Sequence, residues 1–211
     1  MQRIAIIDYG MGNLHSVARA VSHCAPKDQI DVTDRADVIA AADRIVFPGQ
    51  GAAAECMSAL RRHELVDVIA EVSRSKPFLG ICMGMQVLLH HSAENNGVDC
   101  LDWIEGEVRP FAQFINDPQL KIPHMGWNGV NQQRSHPLWS GIDDGSRFYF
   151  VHSYFVDCAR AEDRLGTTEY GVDFTSALGR DNLFAVQCHP EKSADNGLQL
   201  LKNFVRWDGQ A

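Results

Sequence analysis

Cys82 stands in Gly80-Ile81-Cys82-Met83-Gly84-Met85-Gln86, after a short apolar run and before a helix pattern. A reactive residue between two glycines at a strand-to-helix turn is the arrangement of a nucleophile elbow, with cysteine where hydrolases carry serine. Flanking glycines let the backbone turn sharply without a Cβ clash. A helix N-terminus favours a thiolate through its free N–H groups and dipole, and the Met83 N–H can face a developing oxyanion. The competing reading of a lone cysteine is a buried structural thiol. Gln187-Cys188-His189-Pro190-Glu191 supplies what a nucleophilic thiol requires. Pro190 keeps His189 extended, so residues 189 and 191 project to one side. A carboxylate there can fix the imidazole tautomer and stabilise its charged form; the competing reading is a turn with a surface Glu and a hydrogen-bonded His. Thiol, base and orienter together are the parts of covalent catalysis. Pro48-Gly49-Gln50-Gly51 offers a second oxyanion donor from its backbone, or is a plain β–α turn. Gly10-Met11-Gly12 opens like a dinucleotide fingerprint, but His15 occupies the place of the third glycine, which leaves a tight turn.

These residues need elements to carry them. Residues 4–7, 30–32, 44–47 and 77–81 read as strands, the first and last as continuous apolar runs that suit burial on both faces. Helical spacing follows at Leu14, Val17, Ala18 and Val21, across 52–75, and at Met85, Val87, Leu88 and Leu89. Strands alternating with helices predict a parallel sheet covered on both faces. Beyond about residue 97, segments near 103–109, 147–156, 164–170, 174–179 and 183–188 read as strands, and Leu198, Leu201 and Val205 as a last helix. The expectation is therefore an α/β fold. A mostly parallel twisted sheet is flanked by helices and extended by antiparallel strands, as a single domain over 1–211. Both catalytic segments fall where such sheets expose strand C-termini.

Composition narrows the chemistry. With 19 Lys and Arg against 27 Asp and Glu, the net charge is −8, and no basic cluster points to nucleic acid or an anionic membrane. No two of the six cysteines form C-x-x-C, which argues against zinc and thioredoxin chemistry. They read as reduced thiols of a cytoplasmic protein. No signal peptide and no membrane span are expected, nor any metal or organic cofactor.

The elbow, the H-P-E segment and the P-G-Q-G loop together resemble class I (triad) glutamine amidotransferases over essentially the whole chain. Asp8-Tyr9-Gly10-Met11-Gly12-Asn13, His124-Met125-Gly126-Trp127-Asn128, Tyr149-Phe150-Val151-His152-Ser153-Tyr154 and His189-Pro190-Glu191-Lys192-Ser193 are similar to the glutaminase subunits of imidazole glycerol phosphate synthases. The resemblance implies Cys82 as nucleophile, His189 as base and acid, and Glu191 as orienter. It implies Gly49, Gln50, Gly51 and Met83 around the oxyanion. Gln86, and Glu94 two turns further along, would meet the substrate glutamine, with His152, Ser153 and Tyr154 holding its amino-acid end. Asn13, Trp127 and Lys192 would face a partner, a (β/α)₈-barrel cyclase subunit, in a heterodimer serving histidine biosynthesis. The pattern departs at Gln50, where the family commonly has valine, and at His90-His91, which read as an exposed helix surface. Rival readings are a glutaminase subunit of another pathway, a non-catalytic interaction module and a cysteine peptidase.

Overall fold

In the computed structural model, residues 1–210 are described. The apolar runs become the middle of a twisted sheet. Its strands are β1 (Arg3–Ile7), β2 (Gln29–Thr33), β3 (Arg44–Gly49), β4 (Phe78–Cys82), β5 (Leu89–Ser92), β6 (Val98–Asp99) and β7 (Ile104–Pro110). A two-stranded sheet pairs β8 (His124–Gly129) with β10 (Arg147–His152), and β9 (Asn131–Gln132) lies between them in sequence. The rest are β11 (Tyr154–Cys158), β12 (Arg164–Glu169), β13 (Asp173–Arg180) and β14 (Leu183–Val186). The order is β2-β1-β3-β4-β14-β13-β11-β7-β5-β6, with β12 on β13 and β9 on β12. From β2 to β14 the pairing is parallel, and β13 against β14 opens the mainly antiparallel half. The predicted α/β fold, a parallel sheet flanked by helices and extended by antiparallel strands, is thus the observed one.

Helices α1 (Leu14–Cys24) and α6 (Ala194–Arg206) cover one face; α2 (Ala36–Ala41), α3 (Ala53–Arg62) and α4 (Val66–Val72) cover the other. The two-residue period of a strand divides β1 accordingly. Ile4 and Ile6 join the core with Val17, Val21, Leu200 and Phe204, while Ala5 and Ile7 join Phe47, Leu60 and Ile69. Each such large side chain contributes about 1.5–3 kcal/mol by leaving water. Among the described residues no helix is long and apolar enough to cross a membrane.

Two expectations about elements change. The helix after Cys82, α5 (Met83–Gln86), is four residues long, and Leu89–Ser92 is a strand paired with β7 and β6. Val87, Leu88 and Leu89 are all fully buried, so this stretch has no polar helical face, and sheet pairing takes it. His90 and His91 therefore lie on β5, not on a helix surface; His90 Nδ1 is 3.1 Å from Asp102. The segment 147–156 is two strands, β10 in the small sheet and β11 in the large one, separated by Ser153.

Candidate active site

At the junction of β4 and α5, Cys82 itself takes the left-handed turn, with φ 55° and ψ −111°. Such backbone in a non-glycine residue is strained and clusters at functional sites. The two glycines contribute room. A Cβ on Gly84 would stand 1.9 Å from the Phe47 carbonyl oxygen, and one on Gly80 2.8 Å from the Ala185 Cβ. They let α5 lie on β3, and β4 lie beside β14.

β14 delivers the second half of the site. His189 Nδ1–H donates to Glu191 Oε1 at 2.8 Å, which leaves Nε2 for the cysteine side. Both side chains are buried. The His189 backbone is fixed by its N–H to the Tyr149 carbonyl and by the Ser193 hydroxyl on its own carbonyl. Burial alone would lower the His189 pKa; a Cys82 thiolate and the Glu191 carboxylate outweigh it and raise it to about 10. The charged imidazolium is therefore the favoured form of His189. A side-chain hydrogen bond with Cys82 contributes to that rise, and Cys82 Sγ also accepts from Gln187 Nε2 at 3.7 Å. Burial pushes the Cys56 and Cys158 thiols up to about 12, and they stay protonated.

β3 ends beside the elbow, with Gly49 paired to Cys82. A Cβ on Gly49 would sit 2.4 Å from Tyr9 Oη and 2.9 Å from the Met83 Cβ, and Gly51 has φ +89°. Beneath this loop Tyr9 Oη donates to the Pro48 carbonyl at 3.0 Å, and Cys56 Sγ to the Gln50 carbonyl at 3.6 Å.

A cavity of about 600 Å³ opens over these strand ends, lined by Gln50, Gly51, Cys82, Met83, Gln86, Glu94, His152, Ser153, Tyr154, His189 and Lys192. Gly49 lies against its floor and Glu191 behind His189. Gln86 Nε2 donates to the Tyr154 carbonyl and to Gln187 Oε1, and its own Oε1 is buried without a partner. Glu94 sits on the turn Glu94–Asn96 after β5, rather than further along the elbow helix, and accepts the Ala53 N–H at 2.7 Å. It thereby caps α3, whose N-cap residue Ala52 provides no side-chain acceptor. His152 Nδ1–H donates to the Tyr154 carbonyl at 2.7 Å, and its Nε2 accepts from His124 Nδ1 at 2.9 Å. Burial holds His124 at about 4 and His152 at about 3, so this chain is neutral.

On the rim, Lys192 Nζ lies 5.9 Å from the Tyr149 ring centroid, and the half-exposed Trp127 meets the same ring at 6.2 Å. Asn13 is apart from that cluster and caps α1 by accepting the Ser16 N–H. Among the described residues no group of His, Cys, Asp or Glu side chains is placed to hold a metal ion. Sequence reasoning passed over Gln187, Tyr9, Cys56 and His124. For Gln187 the signal was present, because the alternation that pairs residues 189 and 191 also puts 187 on that side.

A cysteine on a strand-to-helix elbow with an adjoining His–Glu pair is the arrangement of elbow-type α/β hydrolases. The chain belongs to the class I glutamine amidotransferase family, whose family model matches residues 5–207. It is 54% identical, over 98% of its length and 97% of the relative's, to the imidazole glycerol phosphate synthase subunit HisH of Hydrogenovibrio crunogenus. The subunit of that name from Pseudomonas putida is 53% identical over the full length of both chains. PurLQS from Thermotoga maritima contains a chain of the same fold, with TM-score 0.70 at 14% identity over 98% and 99% of the two chains.

Proposed function

We propose that this chain is the glutaminase subunit of an imidazole glycerol phosphate synthase. In this reading it acts as one catalytic unit in the cytoplasm, without metal or organic cofactor. It releases ammonia from glutamine and passes it to a (β/α)₈-barrel cyclase subunit in a heterodimer. The observation that carries the reading is Cys82 on its strained elbow, in one cavity with the His189–Glu191 pair. The full-length similarity to HisH subunits supports the pathway and the partner.

The Cys82 thiolate attacks the side-chain carbonyl carbon of glutamine. The oxyanion is received by the Met83 N–H and the 49–51 loop, an interaction typically worth ~3–4 kcal/mol of barrier. The His189 imidazolium gives its proton to the leaving nitrogen, and ammonia departs from a γ-glutamyl thioester. Neutral His189 then takes a proton from water, whose oxygen attacks the thioester; glutamate leaves and the thiolate returns. Glu191 holds the imidazole and balances its charge. Gln86 Oε1, buried and unpartnered, is free to accept an N–H of the substrate, and residues 152–154 and Glu94 form the wall against its amino-acid end. Trp127 and Lys192 on the rim, with Asn13, form the face offered to the cyclase.

Replacing Cys82 by Ala is expected to abolish glutamine hydrolysis and ammonia-dependent synthase activity with the cyclase, while leaving the cyclase's reaction with added ammonium intact. Glutamine turnover by the Cys82→Ala chain above background would overturn the assignment.

A further inference from the structure

We propose that Gln187 is a hydrogen-bond donor to the Cys82 sulfur that stabilises the thiolate, held in orientation by Gln86; this rests on the glutaminase reading above. Gln187 is fully buried, one residue past β14, and its N–H is fixed to the Ser176 carbonyl at 2.9 Å. The parallel register of Val186 with Ile81 brings it across from Cys82. Its Nε2 is 3.7 Å from Cys82 Sγ, and its Oε1 accepts from Gln86 Nε2 at 2.9 Å. The second Gln86 N–H goes to the Tyr154 carbonyl at 3.2 Å. The Tyr154 carbonyl can only accept, so it fixes which end of Gln86 is the amine. Gln86 in turn fixes Gln187, whose amine must face the sulfur.

A buried N–H aimed at a neutral thiol gains little, whereas the same N–H aimed at a thiolate makes a charge-assisted bond. His189 supplies the countercharge, and Gln187 supplies a directional donor on a rigid strand end. The arrangement has a chemical cost, since a better stabilised thiolate persists to lower pH but attacks more slowly once formed. That trade separates a thiolate donor from a side chain that merely fills space.

The test is alkylation of Cys82 by iodoacetamide in the full chain, followed on the Cys82 peptide by mass spectrometry from acid to alkaline pH. Two variants are used. Gln187→Met and Gln187→Leu both lose the donor without adding a charge that would itself repel the thiolate; either one that folds carries the test. The acid-side fall in rate is expected to set in at about tenfold lower proton concentration than in the wild type. The limiting rate at high pH is expected to rise about threefold, so the two profiles cross. A packing defect would not produce that crossing. Profiles that superimpose on the wild type in the folded variants would overturn the proposal. A wild-type chain that neither hydrolyses glutamine nor is labelled at Cys82 would overturn the glutaminase reading itself, a result visible before any variant is made.

Discussion

Tyr9 and Cys56 stand beneath the 49–51 loop and hold the carbonyls of Pro48 and Gln50. Burial pushes both groups above their ordinary pKa, Cys56 to about 12, so both remain donors at any working pH. Pinning the peptides on either side leaves the Gly49–Gln50 peptide as the one whose plane is not tied by these side chains. Removing a donor leaves a buried carbonyl unpaired, at about 1–3 kcal/mol. Tyr9→Phe and Cys56→Ala are each expected to lower kcat for glutamine about tenfold, with KM changed less. Cys56→Ser, which keeps a donor for the Gln50 carbonyl, is expected to retain most activity; steady-state glutaminase kinetics of the three variants decide it. The triad was legible because His189 and Glu191 are two residues apart and Cys82 sits between marker glycines. Tyr9 and Cys56 were not, since they reach the loop from 39 and 6 residues away and no local spacing encodes either contact.

At the scale of elements, the elbow works because α5 comes close enough to β3 to exclude any side chain at residue 84. The Gly84→Ala methyl would meet the Phe47 carbonyl oxygen at 1.9 Å. Backbone must move, and overpacking of this kind costs about 1–3 kcal/mol or more. Gly84→Ala is therefore expected to lower the urea midpoint and to lose glutaminase activity at urea concentrations where the chain is still folded. Gly80→Ala, which meets the Ala185 methyl at 2.8 Å and the Gly84 carbonyl oxygen at 3.0 Å, is expected to be milder. The buried strands were readable because two covered faces leave continuous apolar runs. The same continuity hid the end of α5: 83–89 is apolar throughout apart from Gly84 and Gln86 and satisfies either period. The split at Ser153 was unreadable for another reason. Alternation tells which face a side chain takes, but not which sheet a strand joins.

Across the whole molecule, three buried histidines and one charged one set opposite pH limits. Burial lowers His124 and His136 to about 4 and His152 to about 3, from an ordinary 6.5. Above that ordinary value all three are neutral, folded or unfolded. As pH falls below it the unfolded chain takes up protons that the folded chain refuses, so stability drops by about 1.4 kcal/mol per pH unit for each histidine. His189 has the opposite sign. Held up at about 10 by Cys82 and Glu191 against the effect of burial, it contributes fully below 6.5 and loses that contribution as pH rises through about 10. The neutral His124–His152 chain and the charged His189 thus coexist between these limits, near neutral pH. His136 allows a clean test because it lies outside the active-site cavity and its Nδ1 accepts the Leu138 N–H at 3.1 Å. His136→Asn keeps a side-chain acceptor at that cap and removes one titration. Urea denaturation at about pH 7 and about pH 4.5 is expected to show the variant losing less stability than the wild type, by about 2 kcal/mol. The carboxylates titrate equally in both proteins and cancel in this difference. Equal losses in the two proteins would mean that His136 is not held neutral by the fold.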